Sequence, residues 1–88
     1  MGINNTDRHL NQYETSLVAK YATSLKKVAK NVKRYRKERG LSQLEMATLL
    51  GLTESFVSKL EQGRTAPSFP TLDKLAKILK ISTSQLFE

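Results

Sequence analysis

Between Glu54 and Gln62 the chain carries Glu54, Ser55, Ser58, Lys59 and Gln62 at steps of one, three, one and three, which puts all five on one polar side of a helix. They offer a carboxylate, two hydroxyls, an ammonium and an amide, groups that can reach base edges or phosphates in a major groove. A catalytic set is harder to build. The sequence has no cysteine and a single histidine, His9, so a Ser-His-Asp arrangement would have to draw on a residue close to the N-terminus, and no acid–base pair is visible. A lone histidine is also a poor metal site. The chain is therefore read as a binding protein without metal, cofactor or enzymatic activity.

These side chains need a particular pair of helices to hold them. Val57 and Leu60 lie where the helix spanning 54–62 must face a core, and Met46 and Leu50 supply the core face of the helix before it. Two helices crossing steeply approach closely at one early position, where small residues are expected; Ala47 and Gly51 fall there. Ser42 and Glu45 form a capping box that opens the second helix, which should end near Leu50. Thr53 caps the third helix, and Gly63 closes it. Gly40 ends the first helix in the same way. Ser68 caps a fourth helix with Pro70 in its first turn, where no backbone N–H is missed, and Leu72, Leu75, Ala76 and Leu79 form its buried face. Ser82 and Gln85 repeat the capping box and open a short fifth helix.

Ahead of this unit, Leu10, Tyr13, Leu17, Tyr21, Leu25, Val28, Val32 and Tyr35 follow one another at steps of three and four, one stripe of a helix from about Thr6 to Arg39. A single helix of that extent would measure roughly 45 to 50 Å at 1.5 Å per residue, more than a domain of this size covers. A break near Thr23 and Ser24, or a partner for the projecting part, is expected. The organisation is accordingly an N-terminal helical extension, residues 1–27, and one domain, residues 28–88.

Charge narrows the partners. Fifteen Lys and Arg face eight Asp and Glu, a balance of +7, which attracts phosphates, an anionic membrane or an acidic protein. Nine of the fifteen lie between Lys20 and Arg39, with Glu38 the only acid in that stretch. This is either an electrostatic footprint on nucleic acid or a solvated helix face. No apolar run approaches the roughly 20 residues of a membrane span, and the N-terminus lacks the apolar core of a signal peptide. With no cysteine for disulfides, a cytoplasmic setting is expected.

The stretch RKERGLSQLEMATLLGLTESFVSKLEQGRTAPSFPTLDKLAKILKISTSQLF resembles the Cro and repressor type of helix-turn-helix domain, also called XRE-like, over roughly Asn31 to Phe87. The resemblance implies an all-α, five-helix lambda-repressor-like fold, here with the additional N-terminal extension. It implies double-stranded DNA as partner, read in the major groove by helix 54–62, with contacts from Gln43, Thr53, Glu54, Ser55, Ser58, Lys59, Gln62, Arg64 and Thr65. Gln43 would bond a backbone phosphate and buttress a reading residue. Arg36 and Glu61 would form a buried ion pair that holds the reading helix. Such domains usually dimerise through their last two helices, here Ile81, Leu86 and Phe87, so a homodimer on a pseudo-palindromic operator is expected. The rival reading is an antitoxin or adaptor whose N-terminal helix captures a partner protein.

Five positions depart from that pattern. Glu54 stands where Gln or Arg is frequent, either to accept from a cytosine amino group or only to favour the helix dipole. Phe56 either meets a thymine methyl or packs back on the second helix. Lys80 replaces the usual capping glycine, so that cap should be weaker or differently shaped. Leu44 and Leu49 are either covered by the extension or left exposed.

Overall fold

The computed structural model describes residues 23–88, and all regular structure in them is helical. Helix α1 is described over 23–38, α2 is Gln43–Leu50, α3 is Glu54–Glu61 and α4 is Phe69–Leu79, followed by a 3-10 turn, Thr83–Phe87. Thr23 and Ser24 both lie inside α1, so the expected break is not found at those residues. The rest of the N-terminal extension lies outside the described residues.

Helix starts follow the side chains that the sequence supplies. Ser42 accepts from the Glu45 N–H at 3.0 Å and the Glu45 carboxylate accepts from the Ser42 N–H at 2.9 Å, so the expected box is complete. The Ser42 backbone N–H, and after it the Ser42 hydroxyl, hold the Glu45 carboxyl below its ordinary pKa. Thr53 and Ser68 cap α3 and α4 by accepting from the N–H of Phe56 and Thr71. Ser82 and Gln85 also exchange both bonds, and the short helix that they open is of the 3-10 kind. The i→i+3 closure is seen in the Gln85 N–H donating to the Ser82 carbonyl at 3.1 Å.

Every described helix that continues into another element ends through a left-handed residue: Gly40, Gly51, Gly63 and Lys80. After α2, the Leu52 N–H returns to the Ala47 carbonyl at 2.9 Å and the Gly51 N–H to Thr48 at 3.1 Å, the paired bonds of a Schellman end. Gly51 is required there by its φ of 71° and not by crowding, since an added Cβ would come no closer than 3.9 Å to the Lys74 Nζ. The close approach between the helices falls instead on Ala47, which is buried. Lys80 builds the same cap with φ 57°, its neighbour Ile81 donating to Ala76 at 3.0 Å. The shape of the cap is thus unchanged, and the difference is steric, between the lysine Cβ and the following carbonyl.

Val28 and Val32 of α1, Met46, Ala47 and Leu50 of α2, Val57 and Leu60 of α3, and Leu72, Leu75, Ala76 and Leu79 of α4 close on one another in a single core, completed by Leu86. Each full burial of such an aliphatic side chain contributes on the order of 1.5 to 3 kcal/mol. Phe56 is half-buried and packs against this core, while Leu44 and Leu49 remain more than half exposed. Three polar side chains act as clasps between elements. Asn31, buried on α1, donates to the Leu86 carbonyl at 2.9 Å; Arg39 donates to Leu79 at 3.0 Å; Lys74 donates to Leu50 at 3.0 Å. The last two satisfy carbonyls that a helix end leaves open.

Relief of the Lys80 strain gives a direct prediction. Lys80→Gly should stabilise the fold by about 1 kcal/mol, raising Tm by roughly 4 to 8 °C in a domain of this size. An unchanged or lower Tm in calorimetry would contradict the strain.

Candidate nucleic-acid interface

The elements set α3 on the surface with its core face down. Val57 and Leu60 are buried, and Glu54, Ser55, Lys59 and Gln62 stand on the exposed side with Ser58 half-buried between them. A shallow open groove is lined by Gln43, Glu54, Ser55, Ser58, Lys59, Gln62 and Arg64. Seven of the nine expected contact residues therefore share one surface. Thr53 lies before α3, where its hydroxyl is engaged by the Phe56 N–H, and Thr65 is half-buried in the loop beyond.

Hydrogen bonds divide the groove into a tethered and an open half. Gln62 donates to the Ser58 hydroxyl at 3.0 Å, and Arg64 donates to the Gln62 amide oxygen at 3.3 Å. Glu54, Ser55 and Lys59 make no side-chain hydrogen bond to any of the described residues and are exposed, so their full capacity remains for a ligand. Gly63 with φ 71° bends the chain so that the Arg64 N–H bonds the Lys59 carbonyl at 2.9 Å, which brings the two cationic residues to one end of α3. Glu54 sits in the first turn, where its charge suits the helix dipole.

The Arg36–Glu61 pair ties α3 to α1. Arg36 Nε donates to Glu61 Oε2 at 2.6 Å and Nη2 to Oε1 at 2.9 Å, a two-pronged contact between side chains 9% and 3% exposed. A third donor, Nη1, reaches the Leu41 carbonyl at 2.8 Å, and Gln43 Nε2 donates to Glu61 Oε1 at 3.1 Å. The Glu61 hydrogen bonds raise the Arg36 pKa against the opposing effect of burial, so the guanidinium stays charged. One carboxylate thus joins α1, α2 and α3. The spacing of the sequence could not reveal the Leu41 and Gln43 bonds, because they connect residues brought together only by folding.

The cationic surface is smaller than composition implied. Arg36 is buried, Arg39 is bound to the end of α4, and Arg34 pairs with Glu38 at 3.3 Å while lying over the Tyr35 ring at 5.0 Å. Lys26, Lys27, Lys30, Lys33 and Lys37 are exposed on α1. Of the expected dimer residues, Leu86 is fully buried in its own core and has no surface to offer a second copy; Ile81 is half-buried and Phe87 is exposed. Leu86 was expected at an interface because apolar residues near a chain end look alike in sequence whether they point in or out. Among the described residues no group of three or more His, Cys, Asp or Glu could hold a metal, and no helix is long and apolar enough to cross a membrane.

A helix-turn-helix family model matches residues 32–86, which include α2, α3 and α4 entire. The transcriptional regulator PuuR of Escherichia coli (strain K12) is 41% identical over 58 residues, 66% of this chain and 31% of that protein. Among solved structures, the restriction-modification controller protein C.AhdI from Aeromonas hydrophila superposes with a TM-score of 0.70 at 34% identity, covering 76% of this chain and 97% of that one. The biofilm master regulator SinR, known from Bacillus subtilis (strain 168) and solved in complex with DNA, gives a TM-score of 0.65 at 34% identity over 69% and 98% of the two chains. The chain belongs to the XRE-type helix-turn-helix family of transcriptional regulators. It spans about a third of the length of the curated PuuR relatives that it matches.

The ion pair can be tested apart from any ligand. Arg36→Ala or Glu61→Ala should each cost roughly 3 to 5 kcal/mol in urea unfolding, because the partner left behind is a buried charge. A cost below about 1 kcal/mol would mark the pair as surface-like.

Proposed function

We propose that the chain is a sequence-specific double-stranded DNA-binding regulator of transcription, acting as a homodimer on a pseudo-palindromic operator. The observation that carries this reading is the groove on α3. Seven hydrogen-bonding side chains from α2, α3 and the residues just after α3 line one shallow groove, and a buried clasp ties α1, α2 and α3 together beneath it. Preorganisation of this kind suits the reading of a fixed ligand surface, since little side-chain ordering is left to oppose binding.

The roles divide by chemistry. Lys59 and Ser55, exposed and without side-chain partners among the described residues, would read base edges, with Lys59 donating to guanine O6 or N7. Glu54 would accept from a cytosine amino group. Ser58 and Gln62 would contact the duplex alongside them, and Arg64, tied to Gln62, would meet the phosphate backbone with Thr65 and Thr53 at the edges of the site. Gln43 has one amide hydrogen on Glu61, and its second can reach a phosphate. This makes it a link between the backbone contact and the base-reading helix. Two copies related by a two-fold axis would read half-sites about 34 Å apart, one helical turn. The SinR structure, solved in complex with DNA, supports the ligand class.

Selection of bound sequences from a random duplex pool tests the whole reading: a recovered palindrome supports it, and failure to enrich any sequence sinks it. On the selected site, Lys59→Ala should weaken binding and relax the choice at one base pair by about 1 to 3 kcal/mol, whereas Arg64→Ala should weaken specific and random duplexes alike. The Arg64 variant should also lower the log–log salt slope by about 0.9, the effect of one lost phosphate contact. Equal losses on both kinds of DNA for both variants would refute the division of roles.

A further inference from the structure

The exposed cations of α1 divide between two edges of the helix. Lys26, Lys33 and Lys37 follow one another at steps of seven and four and share one edge; Lys27, Arg34 and Glu38, at the same two steps, share the other. Packing tells the edges apart. Ala29 borders the first edge, three residues after Lys26 and four before Lys33, and a Cβ added at Gly63 would lie 3.9 Å from the Ala29 Cβ. Arg36, three residues beyond Lys33, is bound to Glu61. The first edge therefore flanks the end of α3 and the turn that leads to Arg64. The second edge lies toward the C-terminal turn, where Asn31 donates to the Leu86 carbonyl and Lys27, Lys30, Arg34 and Tyr35 line a cleft with Glu88.

Charge balance separates them in the same sense. On the second edge Arg34 is paired with Glu38 at 3.3 Å, and Glu88 places a carboxylate in the cleft with Lys27 and Lys30. The helical period puts no Asp or Glu on the first edge, and the carboxylate that it flanks, Glu61, is buried and bound to Arg36. Lys26, Lys33 and Lys37 are exposed and form no ion pair with any described residue. Three uncompensated ammonium groups thus stand along about 16 Å of helix. The groove holding Lys59, Gln62 and Arg64 lies at the end of α3 that this edge flanks. A duplex is a continuous polyanion with a phosphate every ~3.4 Å along each strand. A strand whose phosphate meets Arg64 carries further phosphates past the neighbouring surface, which is this edge of α1. Lysine suits such contacts, because a point charge on a flexible stem needs no fixed geometry.

We infer that Lys33 and Lys37, with Lys26 beyond them, are phosphate contacts that carry the duplex footprint from the end of α3 along one edge of α1, while Lys27, Lys30 and Arg34 stay off the duplex. The inference rests on the DNA-binding reading above and deepens it. These lysines add affinity that is blind to sequence and leave base choice to α3.

The test is a salt titration of binding by the full chain, on the selected site and on a random duplex, with two double variants that remove the same net charge. One combines Lys33→Gln with Lys37→Gln, the other Lys27→Gln with Lys30→Gln. Long-range attraction falls equally in both, so a difference between them reports direct contact. The first pair should lower the log–log salt slope by about 1.8, the loss of two phosphate contacts, and weaken both duplexes by the same factor. The second pair should lower the slope by less than about 0.9, less than one contact. All four side chains are exposed and glutamine is a good helix former, so far-UV circular dichroism of both variants should match the parent. Equal slope losses in the two pairs, or an unchanged slope in the first, overturn the inference while leaving DNA binding intact. A parent chain that binds neither duplex overturns the proposed function and this inference together.

Discussion

The Glu61 carboxylate is the point on which the remaining geometry depends. It is nearly out of water, and it is satisfied by two guanidinium hydrogens of Arg36 and one amide hydrogen of Gln43. A charge so placed is tolerable only when every acceptor site is met, so the arrangement of α1, α2 and α3 is specified together or not at all. Apolar packing of Val57 and Leu60 would hold α3 against the core over a range of rotations. The two-pronged contact, with its planar donors, selects one. The proposed reading of bases would need that selection, since the polar side chains of α3 are separated by single rotational steps along the helix.

The same economy of parts appears at the helix ends. Three Schellman turns are each coupled to a function of position. The turn after α1 presents the Leu41 carbonyl to Arg36, the turn after α2 sets the α3 cap, and the turn after α3 brings Arg64 beside Lys59. Two of the basic residues that composition would assign to phosphates are instead internal fasteners, Arg36 in the ion pair and Arg39 on the end of α4. The excess of positive charge therefore overstates the surface free for nucleic acid, which on α1 comes down to its exposed lysines and Arg34, itself paired with Glu38. Long-range attraction still follows from net charge, because it does not depend on which atoms are hydrogen-bonded.

Much of this was legible in the residues themselves. Caps are local: Ser42 with Glu45, Thr53, Ser68 and Ser82 with Gln85 act on N–H groups two or three residues away, so their partners can be counted along the chain. Helical period named the buried faces of α2, α3 and α4 for the same reason, and it placed Glu54, Ser55, Ser58, Lys59 and Gln62 on one side. The Arg36–Glu61 pair, 25 residues apart, came only from resemblance to a family. The capping box of Ser82 and Gln85 marked where the short fifth helix starts but not its 3-10 hydrogen-bond pattern, because a box acts on the first turn alone.

The sequence by itself determined where α2, α3 and α4 lie and which residues make up the polar side of α3, because these are set by contacts within one or two turns. Only the tertiary structure decided that Gln43 joins the ion pair, that Asn31 clasps the C-terminal turn through Leu86, that Lys74 closes α2 and that Leu86 faces inward while Phe69 and Phe87 face water. These depend on which helices meet and at what angle. Apolar residues of equal character have equal claims on the core until the space between the helices is filled, and the geometry of the filled core leaves room for some and not for others.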